Sequence, residues 1–143
     1  MAAYAVCIDD GKLLLAAYRE HGNPHWTLPG GGMEHGEDPY DTVIREVEEE
    51  TGYAVEVTQL LGINSIRVTY PRGRFANADH HSVRILYAGR VTGGTLRHEV
   101  GGSTDQAAWI ELDRLDELAP VRADIIGVGL DLVGSRPAHG RGS

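Results

Sequence analysis

The chain has a single cysteine, Cys7, so no internal disulfide can form and the fold must stand on its packed core. Set in an apolar run, that thiol reads as a small core residue rather than a reactive group. No apolar run approaches the roughly 20 residues of a membrane-spanning helix. The N-terminus, MAAYAVCIDDGKLLL, lacks the basic region and long apolar stretch of a signal peptide. A soluble, cytoplasmic protein with no membrane contact is therefore expected. Basic residues are scarce as well: 13 Lys and Arg stand against 21 Asp and Glu, for a formal net charge of −8. Binding a phosphate backbone needs a basic face, so no polymeric nucleic acid is expected as a partner. The G-x4-G-K-[ST] pattern of a P-loop is absent, as are internal repeats and linker-like stretches. One domain over residues 1–134 is expected, followed by a disordered tail over 135–143, rich in Gly, Pro, Ser and Arg. Nothing in the sequence sets the oligomeric state; a homodimer is compatible with it but not derivable from it.

What the chain does have is concentrated between Gly30 and Tyr53. Tyr40, Val43, Ile44 and Val47 gather on one side at the helical period, which predicts an amphipathic helix with that side packed inward. Asp38 is placed as N-cap, Pro39 as the first helical residue, Asp41 where a capping-box acid would sit, and Gly52 as the residue past the end. On the other side Glu46, Glu49 and Glu50 stand at i, i+3 and i+4, which makes their side chains neighbours.

That crowding is locally unfavourable. Like charges at this spacing repel, and carboxylates near a helix C-terminus oppose the macrodipole at about 0.3–1 kcal/mol. Arg45, with Glu49 at i+4, offsets only part of it. A solvated acidic face is the plain alternative, but a Gly-rich turn at Gly30–Gly32 lies just upstream. Such a turn offers N–H groups to phosphate oxygens and a carbonyl to a metal. Mg²⁺ takes oxygen ligands of this kind, typically one or two carboxylates with substrate phosphates and water.

The positions Gly31, Glu37, Arg45-Glu46-Val47, Glu49-Glu50 and Gly52-Tyr53 resemble the Nudix box, G-x5-E-x7-R-E-U-x-E-E-x-G-U, with U bulky and apolar. Every polar position matches. Tyr53 replaces the usual aliphatic, and Thr42 stands where many members carry Ala. The resemblance, to a MutT-like Nudix hydrolase, implies an α/β/α sandwich with a mixed β-sheet, in which the box forms a loop–helix–loop. It implies hydrolysis of a phosphoanhydride in a nucleoside diphosphate linked to another group: a nucleoside triphosphate, ADP-ribose or another nucleotide sugar, or a dinucleoside polyphosphate. The other reading is a non-catalytic nucleotide-binding module. The resemblance further implies Mg²⁺ as cofactor, with Mn²⁺ as a substitute, held by Glu46, Glu49 and Glu50 and by a carbonyl of Gly30 or Gly31. Arg45 would orient the glutamates and Glu37 would support the loop. The general base stays open among Glu46, Glu99 and Asp105.

Outside the box, strands are expected at 2–8 and 12–18 around an Asp9-Asp10-Gly11 turn, then a polar, turn-prone segment from Tyr18 to His25, with Trp26 as a packing residue. Further strands are expected at 54–61, 65–70, 83–91 and 107–112. A helical turn over 113–118 and a helix over 123–133 follow, the latter weakened by Gly127 and Gly129. Arg19, Arg72 and Arg74 are the candidate substrate contacts, within a wider set of cations that includes Arg67 and Arg84, each of them read as a surface residue. The basic loop from Pro71 to Asp79 is the candidate for substrate choice. The adjacent His80 and His81 point to opposite faces of a strand and are not read as a metal pair. Tyr70 and Pro71 fall near positions that separate some subfamilies, without deciding between them.

Overall fold

The computed structural model describes residues 1–20, 23–70, 78–96, 106–118, 121–122 and 124–135. In chain order the elements are β1 (Ala2–Val6), β2 (Ile8–Asp9), β3 (Lys12–Glu20), β4 (Asn23–Thr27), β5 (Gly30–Gly32), α1 (Pro39–Thr51), β6 (Tyr53–Tyr70), β7 (Ala78–Gly94), β8 (Gln106–Glu111), a 3₁₀ helix (Leu112–Glu117), β9 (Val121–Arg122) and α2 (Asp124–Ser135).

The expected mixed sheet is present as two mixed ladders. One runs β5-β1-β7-β6, with β1 and β7 parallel and the outer pairs antiparallel. The other runs β2-β3-β4-β9, with β8 also on β3 and with β4 and β9 parallel. The chain passes from one ladder to the other at Cys7, whose carbonyl accepts from the Leu14 N–H at 3.0 Å.

Alternation along β1 and β3 divides the core between two helices, because successive side chains on a strand point to opposite faces. Ala3, Ala5, Cys7 and Leu14 face Val43 and Val47 of α1. Val6, Leu13, Leu15 and Leu28 pack with Leu86 and with Ile125 and Ile126 of α2. Helices on both faces of the strands make the α/β/α sandwich that the resemblance implied. Trp26 packs against the α2-side core, as expected. Burial pushes the Cys7 thiol up to about 12, which removes it from thiolate chemistry at neutral pH.

The structure departs from several of these expectations. The Asp10-Gly11 turn is there, with φ of 53° and 72°, but it joins β2 to β3; the strand expected over 2–8 is broken at Cys7 between the ladders. The turn-prone segment from Tyr18 is the end of β3 and the start of β4, paired as Tyr18 with His25 and Glu20 with Asn23. The two strands expected over 54–61 and 65–70 are one strand, β6, which absorbs its irregular pattern in register shifts at Ala54/Val55, Val57/Gln59 and Leu60/Gly62. The last helix continues through Ser135, beyond the expected domain end at 134, and residues 136–143 lie outside the described set. Gly129 has a packing role that propensity could not reveal. A Cβ there would stand 2.8 Å from Val6 Cγ2 and 3.0 Å from Leu28 Cδ1, so glycine lets α2 sit this close to the sheet without displacing those side chains.

Arg84, expected on the surface, is buried instead. Its Nη1 and Nη2 donate to Asp124 Oδ1 and Oδ2 at 3.0 and 2.9 Å, and its Nε donates to Asn64 Oδ1 at 3.0 Å. This two-point pair ties the first residue of α2 to β7. The Arg84 hydrogen bonds hold the Asp124 carboxyl below its ordinary range. No helix among the described residues is long and apolar enough to cross a membrane.

Candidate active site

The helix α1 forms between the residues that the sequence marks. The Asp38 carboxylate accepts from the Tyr40 N–H at 2.8 Å, Pro39 opens the first turn, and Gly52 ends the helix at φ 86° with its N–H on the Glu48 carbonyl at 2.9 Å. The last turn contains no basic residue, so the macrodipole and the glutamates remain in conflict there. The buried side differs from the expected one. It comprises Thr42, Val43, Val47, Glu50 and Thr51, whereas Tyr40 is 45% exposed and meets Tyr87 edge-on.

The expected glycine turn is a strand. Gly30–Gly32 pairs antiparallel with Ala2–Tyr4, which holds it rigidly beneath one face of α1. Gly30 has φ 152°, and a Cβ on it would fall 2.2 Å from the Ala3 carbonyl oxygen, a position that only glycine can fill. Its N–H donates to Glu50 Oε1 at 3.1 Å. A Cβ on Gly31 would lie 2.8 Å from Glu46 Oε1, so the bare backbone there makes room for that carboxylate.

Arg45 is the hub. Its Nε and Nη2 grip Glu37 Oε2 and Oε1 at 2.8 and 2.9 Å, Nη1 donates to Glu46 Oε2 at 2.8 Å and to Glu49 Oε1 at 3.3 Å, and Nη2 reaches the Gly32 carbonyl at 3.4 Å. Glu34 stands 3.9 Å from Nη1. Glu37 is held well below the usual carboxylate range, at about 2, first by Arg45 and then by the Glu34 N–H and the Thr42 hydroxyl. The same contacts raise the Arg45 pKa further, so the guanidinium stays charged.

The three glutamates have different environments. Glu50 is 7% exposed, the Glu46 side chain 16% and the Glu49 side chain 47%. The donors near the glycine strand are carboxylate and carbonyl oxygens, the hard set that suits Mg²⁺. Among the described residues, no three His, Cys, Asp or Glu side chains are already gathered as a metal cage. In this arrangement Glu46 and Glu49 are turned to Arg45, and Glu50 contacts Gly30.

The other sequence candidates have contacts of their own or lie outside the described residues. Arg84 is occupied by Asp124 and Asn64. Tyr18 stacks on His25 with ring centroids 5.4 Å apart. Arg19 lies on β3 opposite Pro24, and its side chain is outside the described set. Arg72, Arg74, Glu99 and Asp105 are outside the described residues, so the basic loop and two of the three candidate bases are too. Thr42 is a participant that sequence reading passed over. It is fully buried, and its hydroxyl donates to Glu37 Oε1 at 2.7 Å. Its departure from the usual Ala was the available signal. Tyr53, the other departure, accepts from Trp109 Nε1 at 2.9 Å, which joins the end of the box to β8.

Comparison with known proteins places the chain in a family. The NUDIX domain pattern matches residues 1–127. An ADP-ribose pyrophosphatase of Methanocaldococcus jannaschii is 35% identical over 123 residues, 80% of this chain and 66% of that protein. A MutT-like protein of Streptomyces ambofaciens is 33% identical over 115 residues, 80% of this chain and 65% of that protein. A MutT NUDIX hydrolase from Burkholderia pseudomallei superposes with a TM-score of 0.69 at 27% identity, covering 92% of this chain and 95% of that one. The chain belongs to the NUDIX family. It spans between about a quarter and two thirds of the length of the curated relatives it matches.

Proposed function

We propose that this chain is a Mg²⁺-dependent pyrophosphohydrolase. Its substrate is a nucleoside diphosphate linked to another group, with ADP-ribose first and nucleoside triphosphates, other nucleotide sugars and dinucleoside polyphosphates after it. The order follows the Methanocaldococcus relative, which is named an ADP-ribose pyrophosphatase. The observation that carries the reading is a charge imbalance: one guanidinium, Arg45, faces the carboxylates of Glu34, Glu37, Glu46 and Glu49 within 3.9 Å. Glu50 adds a further buried acid beside Gly30. A divalent cation would balance such a set.

We assign Glu46, Glu49 and Glu50, with a carbonyl of Gly30 or Gly31, as the residues that hold the metal; Mn²⁺ can substitute. When bound, the ion neutralises charge developing on the phosphate oxygens. The residues do the rest. Glu37 fixes Arg45, Arg45 orients Glu46 and Glu49, and Glu50 is fixed against the glycine strand. Among the described residues Glu46 is assigned as the base that takes the proton of the attacking water, since its carboxylate lies against the open backbone of Gly31. The products are a nucleoside monophosphate and the phosphorylated remainder or pyrophosphate. We assign this activity to a single domain that ends with α2. Arg72 and Arg74 are assigned to binding; replacing both by Ala is expected to raise KM with kcat changed less, the mark of lost uniform binding.

A product assay over ADP-ribose, nucleoside triphosphates, other nucleotide sugars and dinucleotides, with Mg²⁺ and with Mn²⁺, tests the reading. Turnover of one class far above the rest names the substrate. No turnover of any class with either ion overturns the proposal.

A further inference from the structure

The strand β6 ends its sheet. β7 pairs with one edge from Tyr53 to Tyr70, and among the described residues no strand pairs with the other edge. Natural edges are guarded by charge, by proline or by a cover, because an open ladder recruits another chain. In a chain with 24% charged residues, the run Val57–Ile66 has neither a charged residue nor a proline. It exposes two large apolar side chains, Leu60 at 54% and Ile63 at 66%.

On a regular strand those two residues would point to opposite faces. The register shift between Leu60 and Gly62 inserts Leu61 as an extra residue. Leu60 then lies opposite Tyr87 and Ile63 opposite Ile85, two β7 residues of one face. Gln59, opposite Ala88, and Asn64, opposite Arg84, share the other face. The sequence is also symmetric about the Leu61–Gly62 bond. Leu60 and Ile63, Gln59 and Asn64, and Thr58 and Ser65 lie at equal distances on either side.

We propose that this edge pairs antiparallel with the same edge of a second copy, about a two-fold axis at Leu61–Gly62, so that one sheet runs through a homodimer. The contact is isologous. Leu60 of each copy meets Ile63 of the other on one face, and Gln59 meets Asn64 on the opposite face. A bulge can also serve to turn an edge away from partners. Here it brings two exposed apolar side chains onto the same face, the opposite of a protective arrangement.

Light scattering on the eluting protein tests this. The wild-type chain is expected at twice its 15.5 kDa mass, and Leu60→Lys and Ile63→Lys at the single-chain mass, each with the wild-type circular dichroism spectrum. Both sites are exposed, so the fold tolerates the change. Register is tested separately by mixing Leu60→Cys chains with Ile63→Cys chains under oxidation. Directly paired residues lie within about 4.5–5.5 Å between Cα atoms, within disulfide reach. The mixture is expected to cross-link, and each variant alone is not; buried Cys7 does not compete. A wild-type chain of single mass at every soluble concentration, a dimer unaffected by both Lys variants, or cross-linking as strong in the unmixed samples would each overturn the proposal.

Discussion

The guanidinium of Arg45 and the carboxylate of Glu37 are joined by two parallel hydrogen bonds of 2.8 and 2.9 Å, which close the loop before α1 onto the middle of the helix. Such a fork-to-fork pair fixes orientation as well as charge. Through it, Glu37 holds the guanidinium that Glu46 and Glu49 contact.

This pair predicts an acid-sensitive fold. The Glu37 carboxyl drops from 4.5 to about 2 on folding, so its stabilisation is full above pH 4.5 and is lost as pH falls towards 2. Glu37→Gln keeps the shape but removes the titration. Melting temperatures measured across that window should fall less steeply for the variant than for wild type; parallel curves would show that Glu37 contributes nothing to acid sensitivity.

Glu50 separates charge from shape. Glu50→Gln keeps an acceptor for the Gly30 N–H, whereas Glu50→Ala leaves that donor without this partner at a cost of about 1–3 kcal/mol. Both should lower kcat at least about a hundredfold, the order lost with one strong electrostatic stabiliser. Only the Ala variant should melt clearly lower in the absence of metal. Turnover within a few-fold of wild type for Glu50→Gln would remove Glu50 from the metal site.

The three glycines of β5 make a graded series. Gly32→Ala meets nothing within 4 Å and serves as the control. Gly31→Ala pushes on Glu46 from 2.8 Å and should cost turnover while the fold survives, since a carboxylate at the end of a side chain can give way. Gly30→Ala collides with the β1 backbone at 2.2 Å and should destabilise by about 3 kcal/mol or more. Calorimetry with steady-state kinetics on all three checks the order; a Gly31→Ala enzyme of full activity would separate Glu46 from catalysis.

Asp124→Asn should cost about 1–2 kcal/mol, the lower part of the range for hydrogen bonds to charged groups, because the Asp124 side chain is 55% exposed. The loss should shrink in acid, since the Arg84 bonds hold the Asp124 carboxyl below its ordinary range and the pair weakens as pH falls through it. Urea unfolding at neutral and acid pH measures the difference; an unchanged midpoint would show that Arg84 is satisfied without Asp124.

The sequence by itself determined the helix of the site and the residues on it. Asp38, Pro39 and Gly52 act through neighbours a few positions away, and helical spacing makes Arg45, Glu46, Glu49 and Glu50 adjacent whatever else the chain does. Only the tertiary structure decided what those side chains meet. Burial of Glu50 beside Gly30, the room that Gly31 leaves for Glu46 and the closing of Glu37 onto Arg45 depend on β1 seating the glycine strand beneath α1. The interruption of the first strand at Cys7, the continuity of β6 across three register shifts, the pairing of Arg84 with Asp124 and the packing role of Gly129 were likewise illegible in advance. Each is set by partners far along the chain, whereas propensity and periodicity report on a window of a few residues.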